Sequence, residues 1–342
     1  MMPFFKKKSM IGICFVANFF IFYFLYCFYP LSEKNVLEKI FKIEKNESVF
    51  SISENLKKQG LVKNKFIFIF YLALTGKHNK IQAGYYFLKS SMSISEIAKK
   101  FVSGETAKIK ITIPEGFTIK QIQERLDSFF HFSGFDFKVR EFKKDFEFLQ
   151  NVPEETFLEG FLFPDTYEFS YEMSEKEMVN KMLENFAEKI QPLKGEIKKQ
   201  DKTIFEIIIM ASLIEKEVKT LEDKKICSGI LWKRLKAGMP LQVDATISYI
   251  LKTGTSSLYE IASRSSGTKI SIEQTKIDSP YNTYKYKGLP FGPICNPGKE
   301  SILVAIEPEN SEYWYYLSSA DGKTIFSKTL EQHNAAKAKY LE

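Results

Sequence analysis

Cysteine, histidine, tryptophan and arginine are all scarce in this chain of 342 residues. Of the four cysteines, Cys14 and Cys27 fall in an apolar N-terminal run, which leaves Cys227 and Cys295 for the rest of the molecule. Two cysteines are too few for a disulfide framework, although a single bridge between them stays open. His78, His131 and His333 are far apart and show no ligand spacing, so neither a metal nor any other cofactor is expected. The only arginines are Arg125, Arg140, Arg234 and Arg264, so the formal net charge of +7 is almost entirely lysine. Those lysines are dispersed among phenylalanines and isoleucines, which argues against a nucleic-acid-binding stripe but leaves attraction to an anionic membrane or wall polymer.

What the chain does have, at its start, is a long uncharged run. Met10 to Tyr29 is about twenty residues without a charge, the length of a membrane-spanning helix, and Lys6, Lys7 and Lys8 precede it. The expectation is a cytoplasmic tail over 1–9, a transmembrane helix over 10–29 and an exported remainder, with the N-terminus cytoplasmic. That places the protein as a single-pass inner (cytoplasmic) membrane protein. A cleaved signal peptide is the competing reading; it lacks a small-x-small site, because the run ends in bulky residues.

Beyond the run, two stretches begin with Ser-Ile-Ser-Glu, Ser51–Glu54 and Ser93–Glu96, and end at Gly60 and Gly104, the pattern of capped helices. Strand-like segments flank them at 40–44, 83–89 and 108–113, and 65–74 is apolar enough for a helix or a strand. Together they predict a small α+β module over 36–108, either a rigid spacer or a LysM-like carbohydrate-binding module. A larger α+β domain is expected over 109–342. It opens with a strand, a Pro114-Glu115-Gly116 turn and a helix capped by Thr118 and Gln121. Residues 135–150, charged and aromatic, suggest a solvated helical insertion.

The most informative residue is Glu215. It lies on a segment, Thr203 to Lys219, whose run of isoleucine, methionine, leucine and valine is too apolar for an exposed helix. Thr203 and Glu206 form a capping-box pattern at its start, which gives Glu206 a local role. At about 100° per residue Glu215 falls in line with Ile204, Ile208 and Ala211, whereas Glu217 faces elsewhere. A carboxyl on a dry surface has its charged form disfavoured and can hold a proton near neutral pH. The alternative is an ion pair with Lys216 or Lys219 at a helix edge.

Three further stretches carry polar groups among structure breakers. Leu158 to Tyr167 holds Glu159 and Asp165 around a glycine and a proline, as in a cleft-lining loop or a buried turn capped by Asp165. Gly238 to Thr246 places Gln242, Asp244 and Thr246 at alternate positions of what reads as an extended segment, so all three share one side. Such groups suit sugar hydroxyls and amides, and equally a structural polar network. Ser279 to Lys285 and Gly288 to Gly298 form an ordered loop in which Tyr281 and Asn282 face either a sugar or the core.

Taken in order, Thr112–Gly116, Leu158–Tyr167, Ala211–Glu217, Leu241–Thr246, Ser279–Tyr284 and Gly288–Gly298 resemble the signature blocks of the YceG-like endolytic murein transglycosylases (MltG type). One departure is Ala245, where that family has proline. The resemblance implies a membrane-anchored lytic transglycosylase (a carbon–oxygen lyase acting on polysaccharides) whose partners are peptidoglycan glycan strands and, beside them, cell wall synthases. Glu215 matches the family's catalytic glutamate. In the mechanism this implies, Glu215 protonates the oxygen joining N-acetylmuramic acid to N-acetylglucosamine. It then takes the proton of the muramic C6 hydroxyl as a 1,6-anhydro ring closes. Gln242, Asp244, Thr246, Tyr281, Asn282, Glu159 and Asp165 are the candidates for holding the sugars. A second reading is a membrane-anchored scaffold that binds glycan without cutting it.

Overall fold

The computed structural model describes residues 18, 19, 22–30, 38–130, 136–253, 270–319 and 322–340. They divide into two compact units, one drawn from Met1–Lys110 and Glu168–Met173, the other from Ile111–Tyr167 and Ser174–Glu342. Helices and short antiparallel strands alternate in an α+β arrangement.

In the first unit, β1 (Glu38–Ile43) pairs antiparallel with β2 (Gly84–Lys89), with Ile40 opposite Phe87 and Phe41 opposite Tyr86. Three helices accompany this ladder: α1 (Val49–Lys58), α2 (Lys65–Leu74) and α3 (Ile94–Ser103). Phe41, Leu56, Phe68, Tyr86 and Phe101 form their common core. Helix α3 has the expected capping box of Ser93 with Glu96 and ends at left-handed Gly104. Helix α1 starts one turn earlier than the Ser-Ile-Ser-Glu pattern suggests. Ser48 accepts from the Ser51 backbone, and Ser51 instead donates its hydroxyl to Glu47.

The expected N-terminal transmembrane helix is not supported, since no helix among the described residues is long and apolar enough to cross a membrane. Within 10–29, residues 22–28 form a short helix that packs on this unit. Phe24 meets Phe70 edge-on, Phe28 meets Tyr71, and Cys27 is buried. Lys63 Nζ donates to the Tyr26 carbonyl and Asn64 to the Tyr23 hydroxyl, so this stretch lies against a folded protein surface. The single-pass inner-membrane placement loses its support with that helix. The tail over 1–9, residues 10–17, and residues 20 and 21 lie outside the described residues.

Strand β3 (Lys108–Thr112) pairs with β4 (Thr166–Ser170). The second unit is mainly helical, and its longer helices are α4 (Ile119–Phe130), α5 (Glu175–Ile190), α6 (Ile204–Glu217), α7 (Leu221–Lys236), α8 (Asp244–Thr253), α9 (Lys299–Ile306) and α10 (Leu330–Tyr340). A terminal hairpin of β5 (Tyr315–Ser318) and β6 (Thr324–Ser327) completes it. Residues 207–214 of α6 are all buried, which makes it the central helix of this unit. Each large aliphatic side chain so enclosed contributes about 1.5–3 kcal/mol.

Helix α9 packs against α6 and α7. Side chains of α7 satisfy its last carbonyls: Ser228 donates to Val304 O at 2.6 Å and Trp232 Nε1 to Ala305 O at 2.9 Å. Residues 136–150 are not the solvated helix expected. They form two 3₁₀ turns, Val139–Glu141 and Glu147–Leu149, because Phe137, Val139, Phe142, Phe148 and Leu149 all turn inward.

Candidate active site

Glu215 sits in the last turn of α6, and its side chain is only 11% exposed. The helix begins as the sequence indicates, with Thr203 and Glu206 capping each other, so Glu206 is engaged at the far end from Glu215. Three donors converge on one oxygen of Glu215, Oε2. Ser301 Oγ lies at 2.5 Å, the Gly298 backbone N–H donor at 3.2 Å, and Lys224 Nζ at 3.4 Å. Among the described residues every hydrogen bond to this carboxyl falls on Oε2, which leaves Oε1 without a bonded donor. The ion pair foreseen with Lys216 or Lys219 forms instead with Lys224, a buried lysine in the first turn of α7.

The second carboxyl of the site is Glu115. Gly298 lies so close to it that any side chain at 298 would collide with the Glu115 carboxyl. In the same turn Gly116, at φ +74°, faces the Glu215 side chain: a Cβ there would lie 3.5 Å from Glu215 Cγ and 3.4 Å from Lys216 Nζ. Gly298 therefore has one carboxyl against its Cα and the other on its N–H. Burial and the neighbouring Glu215 charge raise the Glu115 pKa above the ordinary carboxylate range, with Lys224 opposing and Glu300 adding to the effect.

Asn296 ties the loops together. Its side-chain nitrogen donates to Phe117 O at 2.9 Å and to Glu159 Oε1 at 3.0 Å, and its Oδ1 accepts from Leu162 N at 2.9 Å. Its backbone carbonyl accepts from Gly116 N at 2.8 Å. Ser212, on α6, anchors the same loop by accepting from Ile294 N at 3.1 Å. Three sequence-distant loops are thereby fixed around the end of α6.

Glu159 is 3% exposed and lies within this scaffold. It accepts from Ile119 N at the start of α4, from Asn296 and from the Tyr249 hydroxyl at 3.3 Å, and burial pushes its pKa up to about 8. Tyr281 stacks at a tilt on Tyr249, with ring centroids 5.1 Å apart, and meets Phe291 edge-on. Asp165 is exposed and has Thr166 N and Asn185 as its partners rather than the Glu215 cluster.

The remaining candidates form one polar network. Gln242 Oε1 accepts from Arg234 at 2.7 Å and Gln242 N donates to Thr283 O at 3.1 Å, with the Gln242 backbone at φ +54°. Asp244 accepts from the Tyr284 hydroxyl. Thr246 and Asn282 are 0% and 1% exposed. Thr246 bonds Val243 O and Thr283, and Asn282 donates to Thr275 O and Ile277 O.

The extended segment expected over 238–246 is corrected here. Helix α8 begins at Asp244, so the alternation of Gln242, Asp244 and Thr246 does not place them on one side of a strand. Asp244 lies in the first helical turn, where an acid is favoured, and Ala245 N donates to Glu217 Oε1 at 3.4 Å. Burial pushes the Glu217 pKa up to about 7, and this third acid of α6, after Glu206 and Glu215, belongs to the neighbouring network. Cys227 and Cys295 are free and buried.

Sequence reasoning did not single out Glu115, Lys224, Gly298, Ser301 or Asn296. For Glu115 and Gly298 a signal was present, since each sits in a turn that breaks regular structure beside an apolar run.

A family model described as the YceG-like family matches residues 41–339. The endolytic murein transglycosylase of Bacillus subtilis (strain 168) is 32% identical over 316 residues, covering 87% of this chain and 84% of that protein. The endolytic murein transglycosylase of Streptococcus pneumoniae serotype 2 is 31% identical over 336 residues. That match covers 87% of this chain and 58% of the longer relative. The crystal structure of a yceG-like protein from Listeria monocytogenes, 31% identical, covers 89% of this chain and 100% of that one with a TM-score of 0.56. With a family model spanning most of its length, and the six sequence blocks gathered around or linked to the end of one buried helix, the chain belongs to the YceG-like family.

Proposed function

We propose that this protein is an endolytic murein transglycosylase, a lyase that cuts peptidoglycan glycan strands internally between N-acetylmuramic acid and N-acetylglucosamine. The observation that carries the reading is the carboxyl of Glu215, which is nearly enclosed and has three donors gathered on Oε2. The three donors on Oε2 support a reading in which Oε1 handles the proton. Oε1 donates it to the glycosidic oxygen, and the bond from that oxygen to C1 of the muramic residue breaks. The muramic C6 oxygen then bonds to C1, closing a 1,6-anhydro ring without consuming water. In the simplest form of the scheme Glu215 takes up the C6 hydroxyl proton and is reset.

Lys224, Ser301 and the Gly298 N–H stabilise the carboxylate left after donation, as oriented dipoles do for developing charge. The polar network from Gln242 to Tyr284 is read as the flank that holds the sugars, with Gln242 and Asp244 as its most accessible members and Tyr281 half-buried beside them. The first unit, with its paired strands and capped helices, is read as a LysM-like module that grips the strand. Mass spectrometry of glycan strands digested with the full chain tests the reading. Anhydro ends are expected. Reducing ends, heavier by one water, would indicate a hydrolase, and intact strands a binding protein.

A further inference from the structure

We propose that Glu115 is a second catalytic residue of this site, the carboxylate that takes the C6 hydroxyl proton while Glu215 serves as the acid. This inference rests on the transglycosylase reading and divides its two proton transfers between two groups.

The first support is placement. Glu115 and Glu215 are far apart in sequence, yet Gly298 touches both: its Cα faces the Glu115 carboxyl, and its N–H donates to Glu215 Oε2 at 3.2 Å. The Pro114-Glu115-Gly116 turn holds this arrangement, because Gly116 N is bonded to Asn296 O and Gly116 packs against the Glu215 side chain.

The second support is availability. Glu215 Oε2 is occupied by three donors, which leaves Oε1 alone to exchange protons. Glu115 makes no hydrogen bond and no ion pair among the described residues, although lysines lie nearby. An acid beside a catalytic carboxyl, exposed to solvent and without a structural partner, has no evident role in holding the fold.

The third support is electrostatic coupling. Burial and the Glu215 charge both raise the proton affinity of Glu115, and Glu300 adds to this while Lys224 opposes it. When Glu215 gives up its proton its charge appears, and Glu115 becomes a stronger base at that step, since two adjacent carboxylates resist being charged together. The balance is complete. The C1–O bond to the leaving sugar breaks as Glu215 delivers its proton there, and the bond from O6 to C1 forms as the C6 hydroxyl proton passes to Glu115. Glu115, being exposed, then releases that proton to solvent, from which Glu215 is recharged.

The test uses the full chain and purified glycan strands, comparing wild type with E115Q, E115D and E215Q. For E115Q, kcat is expected to fall about 100-fold with KM nearly unchanged, the scale of a lost general base. Its products should also shift toward reducing ends, because water competes for C1 when ring closure is slow. E115D, which keeps a carboxylate, should recover part of the rate and the anhydro product. Wild-type kcat with purely anhydro ends in E115Q would overturn the proposal, as would a loss confined to KM. Absence of anhydro ends in the wild type would instead remove the underlying transglycosylase reading.

Discussion

Ser301 Oγ donates to Glu215 Oε2 across 2.5 Å, linking the first turn of α9 to the last turn of α6. A hydrogen bond to a charged acceptor is worth about 1.5–3 kcal/mol, and a carboxylate that forms during the reaction draws on it most in the transition state. S301A is therefore expected to lower kcat at least about tenfold with little change in KM. Steady-state kinetics on glycan strands checks this; an unchanged kcat would mean that the bond serves packing alone.

Lys224 and Glu215 form a buried pair, with side chains 5% and 11% exposed. Wherever Glu215 is ionised, removing one partner leaves the other charge uncompensated, a cost of about 3–5 kcal/mol. K224M should be strongly destabilised, and K224M/E215Q should be more stable than K224M because the stranded carboxylate is gone. Denaturant unfolding of both single variants and the double gives the coupling directly.

Gly298 occupies the N-cap of α9 with φ −74° and ψ 167°, a conformation alanine adopts without strain. The three atoms nearest an added methyl all belong to the movable Glu115 carboxyl, so G298A should displace that group at a stability cost of roughly 0.5 kcal/mol. If Glu115 acts in the chemistry, G298A lowers kcat, and G298A/E115Q is no slower than E115Q. Multiplied losses in the double variant would show two independent effects.

Glu159 predicts a pH dependence of stability. Its pKa in the fold is raised to about 8 from an ordinary value of 4.5, so the native state keeps this proton through a window in which the unfolded chain has released it. Its contribution is complete below the lower value and is lost as pH rises through about 8. E159Q has no proton to lose, so its unfolding free energy should decline less than that of the wild type between those limits. Parallel urea titrations at several pH values measure the difference; identical slopes would place the Glu159 charge in a solvated setting.

What was legible in the sequence is mostly local. The capping boxes at Ser93 and Thr203 form as their spacing requires, because each joins residues three apart. The buried character of α6, and the low exposure of Glu215 on it, followed from periodicity. Ser48 rather than Ser51 caps α1 because Glu47 engages Ser51, a competition the four-residue pattern does not encode. Asp244 starts a helix where alternation suggested a strand, since its neighbour's N–H meets Glu217, an acid from another helix. Lys224 and Ser301 reach Glu215 only through tertiary packing, and no spacing in the chain points to them.

The decisive variant is E215Q, because the proposed chemistry has Glu215 supply the proton that breaks the glycosidic bond. The amide retains the shape of the side chain but has no acidic proton to give. Glycan strands incubated with wild type should be cut to fragments with anhydro ends, whereas E215Q, folded by circular dichroism and thermal unfolding, should leave them uncut. Anhydro fragments released by E215Q at the wild-type rate would rule Glu215 out as the acid.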